Sequence, residues 1–385
     1  MKRIGLIGIV SGLIMLCTIG HAAPQEVVVS DADQLAAAIV QANKGGAKTI
    51  ILKDGTYTLR NMLWVEAHGV TVRSASGNRD AVIIEGRGMN GNVTHIFNVA
   101  GANFTVRDVT LRRVSQHAIQ IHGELNAKSP LIKNVRIADT GQQMVKGSYA
   151  AGKPHARADN GIVEGCLFEY SAGIGPQYYI GGIDVHNARN WIVRKNTFKG
   201  IQSPRDQEAE FAIHFWSDSQ GTLVEGNTII NCDRGIGFGM GDRGHGKGII
   251  RNNMIYHDSS GRFADVGIAL ESAVNAQVYN NTVFQKHGYP NAIEYRFART
   301  KGVLIANNLT NRAICQRDGA SGTVTHNVRN AQEGWFINPS SGNLHLRSAI
   351  SAVVDKGGNI PGLTTDFDGE SRTKGQGIDI GADEY

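Results

Sequence analysis

Short alternations of apolar and polar residues return along the chain at a nearly fixed interval. Two copies read Ile162-Val163-Glu164-Gly165-Cys166-Leu167-Phe168 and Ile192-Val193-Arg194-Lys195-Asn196-Thr197-Phe198, and others fall at residues 223–229, 249–255, 277–283 and 303–309. Alternation with period two marks a short strand in each. An asparagine recurs at Asn196, Asn227, Asn253, Asn281 and Asn308, at spacings of 31, 26, 28 and 27 residues. Repeats of that length built on short strands and turn residues predict a solenoid. The asparagine column predicts a ladder of stacked amides at a turn, a structural role. Cys166 takes the ladder position in its own coil and is expected to be a buried thiol.

A second strand follows in each coil, and these segments align equally well. They begin at Ile119, Val145, Ile183, Ile213, Ile236, Ile268 and Ile293. Positions one and three are mostly apolar and should point inward, so two and four should point out. The fold class predicted is all-β, a single parallel β-helix over residues 23–385 with regular coils from about 100 to 316. Asp31 to Asn43 reads as an amphipathic capping helix with Leu35, Ala38, Ile39 and Ala42 on one face, and Thr49-Ile50-Ile51-Leu52 begins the first coil. The repeat decays after Ser340, and residues 340–385 are expected to cap the C-terminal end.

Composition sharpens this picture. With 41% hydrophobic and 19% charged residues the chain is neither disordered nor collagen-like, and 48 glycines against 8 prolines fit many tight turns. Met1-Lys2-Arg3, an uncharged stretch to Ile19 and the small residues around Ala22 predict a signal peptide over residues 1–22. The protein is therefore expected to be secreted or periplasmic. Its removal leaves 37 basic and 34 acidic residues, a net charge of +3. That mild excess suits an acidic polymer but supplies no basic stripe for nucleic acid. Nothing after the first 25 residues is apolar for long enough to span a bilayer. Cys166, Cys232 and Cys315 remain, with neither zinc spacing nor a disulfide framework, and a monomer is expected.

The outward positions carry the candidate chemistry. Reading coil by coil they are Gln120 and His122, Lys146 and Ser148, Asp184 and His186, and His214 and Trp216. Gly237 and Gly239, Ala269 and Glu271, then Glu294 and Arg296 follow. Stacked strands lie about 4.8 Å apart, so this is a two-column array on one face. Titratable groups concentrated beside a coil of bare glycine favour a catalytic site over an idle surface. The glycine coil is expected to leave a flat floor for a sugar ring. Arg243 and His245, in the glycine-rich loop leaving that coil, either reach over the cleft to hold carboxylates or belong only to a turn.

Tyr179-Ile180-Gly181-Gly182-Ile183-Asp184-Val185-His186 is similar to the Asp-Pro-His strand motif of alginate C5-epimerases, and Lys146 falls one coil earlier, where those enzymes also have a lysine. Val185 replaces the proline, and Gly181 stands where the motif has tyrosine, with Tyr178 and Tyr179 nearby. The repeat, the capping helix and the ending Asp379-Ile380-Gly381-Ala382-Asp383 more broadly resemble chondroitinase-B-like polysaccharide lyases and related β-helix proteins over residues 27–385. The resemblance implies a right-handed coil and attack at C5 of a uronic acid within a polysaccharide. That proton becomes acidic only when the neighbouring carboxylate is neutralised, and the same donors stabilise the enolate. His186 would be base or acid, and Lys146 would neutralise the carboxylate or deliver a proton. Asp184 would orient the site, His214 would be a second acid/base group, and Trp216 a sugar-stacking platform. Expulsion of the 4-oxygen gives a lyase; return of a proton from the other face gives an epimerase. The residues do not separate the two, and the broad resemblance favours the lyase.

Other readings stay open. His122 is peripheral to the array. Glu271, Glu294 and Arg296 form either a structural ion-pair cluster or a second carboxylate subsite. A glycoside hydrolase needs two flanking carboxylates, which Asp184 lacks in the stripe but Glu271 and Glu294 could supply. A binding solenoid would spread aromatic residues along the face. No cofactor or metal is assigned: two carboxylates are too few for calcium, and histidines on regular rungs seldom converge on a transition metal. Loops at 149–160, 201–210 and 256–265 are long enough to close one end of a cleft.

Overall fold

The computed structural model describes, apart from Met1, residues 26–385; the expected signal peptide lies outside the described residues. Three parallel sheets of 12, 10 and 10 strands run the length of the molecule, each strand pairing with its counterpart in the coil before and after. The alternation read from the sequence is the cause. One sheet carries the site, and its inward residues Ile183, Val185, Ile213, Phe215, Ile236 and Phe238 are fully buried. They stack as columns in one continuous core that also takes in the stacked pair Phe168 and Phe198.

The asparagine ladder forms as the repeat predicts. Asn227 accepts the Asn196 backbone N–H at 3.0 Å, and its own backbone N–H donates to the Asn253 side chain at 2.9 Å. Asn253, Asn281 and Asn308 continue the run, which extends one coil further to Asn327. Each amide thus satisfies backbone groups that the turn would otherwise bury unpaired. Cys166 sits buried at the head of the ladder, its backbone N–H donating to the Asn196 side chain.

Helix α1 spans Ala32–Asn43, with Asp31 as its N-cap accepting from the Gln34 N–H, and it buries Leu35, Ala38, Ile39 and Ala42 against the first coil. The C-terminal segment differs from an end cap. The hairpin Phe336–Asn338 with Asn343–Leu346 packs its apolar residues on Ile230, Met254, Tyr256 and Phe284, the outer face of the third sheet. Buried Arg372 donates to Asn252 and to the Ala382 carbonyl, and Asn280 donates to the Asp379 carbonyl. The tail therefore runs back along the flank, where apolar outward residues await it, and the end strand of the 12-stranded sheet, Gly322–Thr325, stays mostly exposed.

Candidate active site

The four strands Val145–Ser148, Ile183–His186, Ile213–Trp216 and Ile236–Phe238 pair in the expected register: Lys146 with Asp184, Asp184 with His214, His186 with Trp216, His214 with Gly237. A cleft of about 500 Å³ opens over them, lined by Lys146, Tyr149, Tyr179, His186, Glu210 and Arg243 among others.

Asp184 is the hub. Only 2% exposed, it accepts from Lys146 Nζ at 2.5 Å on one oxygen and from Trp216 Nε1 at 2.7 Å on the other. Burial alone would raise its pKa; the Lys146 charge, with help from His186 and His214, overrides this and holds the carboxyl well below its usual range. Burial likewise opposes the Lys146 charge, and the Asp184 carboxylate outweighs it, so the ammonium pKa is raised. Lys146 is thus a fixed cation at neutral pH, with its Nζ 5.8 Å from the Tyr179 ring centre.

His186 lies between the rings of Tyr149 (5.3 Å) and Trp216 (4.3 Å), and its Nδ1 contacts the Ser217 hydroxyl at 3.1 Å. Its Nε2 is 3.8 Å from Asp184 Oδ1 and makes no hydrogen bond among the described residues. Burial pushes its pKa down to about 3; Asp184 opposes this, while Lys146, His214 and Arg243 reinforce it. The imidazole is therefore neutral and able to accept a proton. Arg243 enters the cleft from its loop, its guanidinium 3.8 Å over the Trp216 ring, and it makes no ion pair among the described residues.

Several expected positions are corrected. Trp216 is not an open platform: at 8% exposure its ring lies parallel to His214 at 5.2 Å and is covered by Arg243. His214 is fully buried and does not line the cleft, its Nε2 facing the Gly239 carbonyl at 3.1 Å and its Nδ1 lying 3.8 Å from Glu210 Oε2. The glycine floor is filled, because a Cβ on Gly237 would meet the Phe211 ring at 2.7 Å. His245 does not reach the cleft; it is 3% exposed and stacks on Phe238 at 4.0 Å inside the coil. His122 sits apart, between Glu124, Asn98 and the Trp64 ring.

The expected cluster of Glu271, Glu294 and Arg296 does not converge. Glu294 is held by Arg317, Tyr289 and Asn291, Arg296 pairs with Asp318, and Glu271 accepts the Gly241 N–H. Tyr149 and Glu210 are cleft residues the repeat did not reveal. Both stand just outside the aligned strand segments, and the spacing of Glu210 four residues before His214 was the available signal.

The sequence matches the family model of the right-handed β-helix region over residues 44–311. No curated protein matches it. Among solved structures, pectate lyase Pel9A is similar with a TM-score of 0.57 at 13% identity, covering 90% of each chain. PfbA, a surface adhesin of Streptococcus pneumoniae, has a TM-score of 0.52 at 14% identity, over 77% of this chain and 87% of its own. An alginate lyase from Paenibacillus sp. str. FPU-7 has a TM-score of 0.49 at 15% identity, over 78% of this chain and all of its own. Likeness at these identities concerns the fold. The chain belongs to the right-handed β-helix family.

Proposed function

We propose that the protein is a polysaccharide lyase that cleaves a uronic-acid-containing polymer by β-elimination. The observation that carries this reading is one cleft in which Arg243, without an ion pair among the described residues, and the Asp184-bound Lys146 ammonium stand beside an unprotonated imidazole, His186. A uronate carboxylate held by Arg243 and by the remaining N–H donors of Lys146 loses the charge that protects its C5 proton, and the enolate formed is stabilised by the same groups. His186 Nε2 takes the C5 proton. The electrons of that C–H bond become the C4–C5 double bond, the C4–O bond breaks, and the leaving oxygen takes a proton from Tyr179. The low His186 pKa belongs to the free protein; the charge of a bound uronate raises it and strengthens the base.

A C5-epimerase is the second reading. Two tyrosines line the cleft, Tyr179 by Lys146 and Tyr149 against His186, and return of a proton to the opposite face needs a second donor of this kind. Hydrolysis is disfavoured although Asp184 and Glu210 both lie within 4.0 Å of His214 Nδ1. Asp184 is committed to Lys146 and Trp216, so Glu210 has no second free carboxylate across from it among the described residues, and hydrolysis needs a pair. Fold likeness does not choose, since a pectate lyase and an adhesin both share it.

The test is incubation of the purified protein with alginate, polyglucuronate, pectate and glycosaminoglycans. Ultraviolet absorbance of the 4,5-unsaturated end is expected to rise on at least one polymer and to be lost in His186→Ala. Reducing ends without that absorbance would contradict a lyase.

A further inference from the structure

The tail brings three potential metal ligands together, far from the cleft. His345 lies on the hairpin strand Asn343–Leu346, Asp368 on the turn after Asp366, and Asp383 near the C-terminus. One ligand atom from each lies within 4.8 Å of the others. His345 Nδ1 is 2.6 Å from Asn343 Oδ1, which also accepts the His345 backbone N–H. An amide oxygen only accepts, so Nδ1 carries the hydrogen and the Nε2 lone pair faces Asp368 Oδ2 at 2.8 Å. Two acceptors at that distance require a cation between or beside them, either a second proton on the ring or a metal.

The charge around the ring favours the metal. Asp383 is buried, its Oδ2 accepting the Leu346 N–H, and Asp366 accepts the N–H of the next residue, Glu384. No lysine or arginine forms an ion pair with Asp366, Asp368 or Asp383 among the described residues. A divalent ion held by His345, Asp368 and Asp383 would neutralise both carboxylates. A ligating imidazole whose other ring N–H is held by a fixed oxygen is the usual arrangement at metal sites. Asp368 also lines an open cleft of about 310 Å³ beside Lys195 and Gly226, which gives an ion a route in.

We propose that His345, Asp368 and Asp383 bind a divalent transition-metal ion, zinc or manganese, that clasps the hairpin to the C-terminal residues. The mixed nitrogen and oxygen donors suit these ions better than calcium. The experiment is calorimetric titration of chelator-treated protein with zinc, manganese and calcium, with melting temperature recorded in parallel. One zinc or manganese ion per chain and a raised melting temperature are expected. Asp368→Asn, an exposed position that leaves the hairpin packing intact, should weaken binding roughly tenfold or more. His345→Gln should do the same, and cleavage by the His186 site should persist in both. Absence of binding to wild type, equal binding by Asp368→Asn, or binding of calcium alone would overturn the proposal.

Discussion

At the residue scale the site depends on one buried ion pair. Asp184→Asn removes the only carboxylate bonded to Lys146 among the described residues and leaves a largely buried ammonium without an opposite charge. Breaking such a pair costs about 3–5 kcal/mol, and urea unfolding of Asp184→Asn against wild type should show a loss of that order together with lost activity. His186→Ala should reduce kcat roughly 10²–10⁴-fold, the usual contribution of a positioned base, without a comparable change in stability. Because the His186 pKa is lowered to about 3, the imidazole stays deprotonated well below its ordinary 6.5. The acid limb of kcat/KM should therefore lie far below pH 6.5; a limb near 6.5 would assign the base elsewhere. Lys146, Asp184 and His186 were legible in the sequence because period-two alternation decides which side chains point out. The packing of Trp216 was not, since alternation places a ring outside the coil without saying that His214 and Arg243 will cover it.

At the scale of elements, the coil is held as much by its ladder as by its core. Asn227→Ala would strip partners from the Asn196 backbone N–H and from the Val193 carbonyl, both in a buried turn. Each buried group left unpaired costs about 1–3 kcal/mol, so the denaturation midpoint should fall clearly. Cys166→Ala should cost less, because its sulfur makes only weak contacts at 3.4–3.5 Å. The register of the site sheet followed from aligning isoleucines at the start of each strand, which the core requires to stack. Loops have no such constraint. Glu210 and Tyr149 enter the cleft from outside the aligned segments, and Phe211 fills the space over Gly237, none of which a repeat can announce.

For the whole molecule, buried histidines couple stability to acid. His117, His186 and His245 are held near pKa 3, and His95 and His287 near 4, all chiefly by burial. Above about pH 6.5 these rings are neutral in both folded and unfolded chains; below it the unfolded chain binds protons that the folded one refuses. Asp233 and Glu384, raised to about 6 and 7, act in the opposite sense, contributing at low pH and losing that contribution as pH rises through those values. Five rings outweigh two carboxylates, so the melting temperature should fall from pH 6.5 to 5, and a flat profile would contradict this assignment of charges. The tail shows where whole-molecule reading from sequence ends: decay of the repeat marked its start, but its path depends on apolar outward residues such as Met254 and Phe284, distant in the chain. The most direct measurement of the central claim is proton NMR of a uronic-acid polymer cleaved in D₂O by wild type and His186→Ala. The C5 proton should vanish with wild type and persist with the variant. Cleavage that leaves C5–H intact, or loss of the C5 proton undiminished in His186→Ala, would contradict the account.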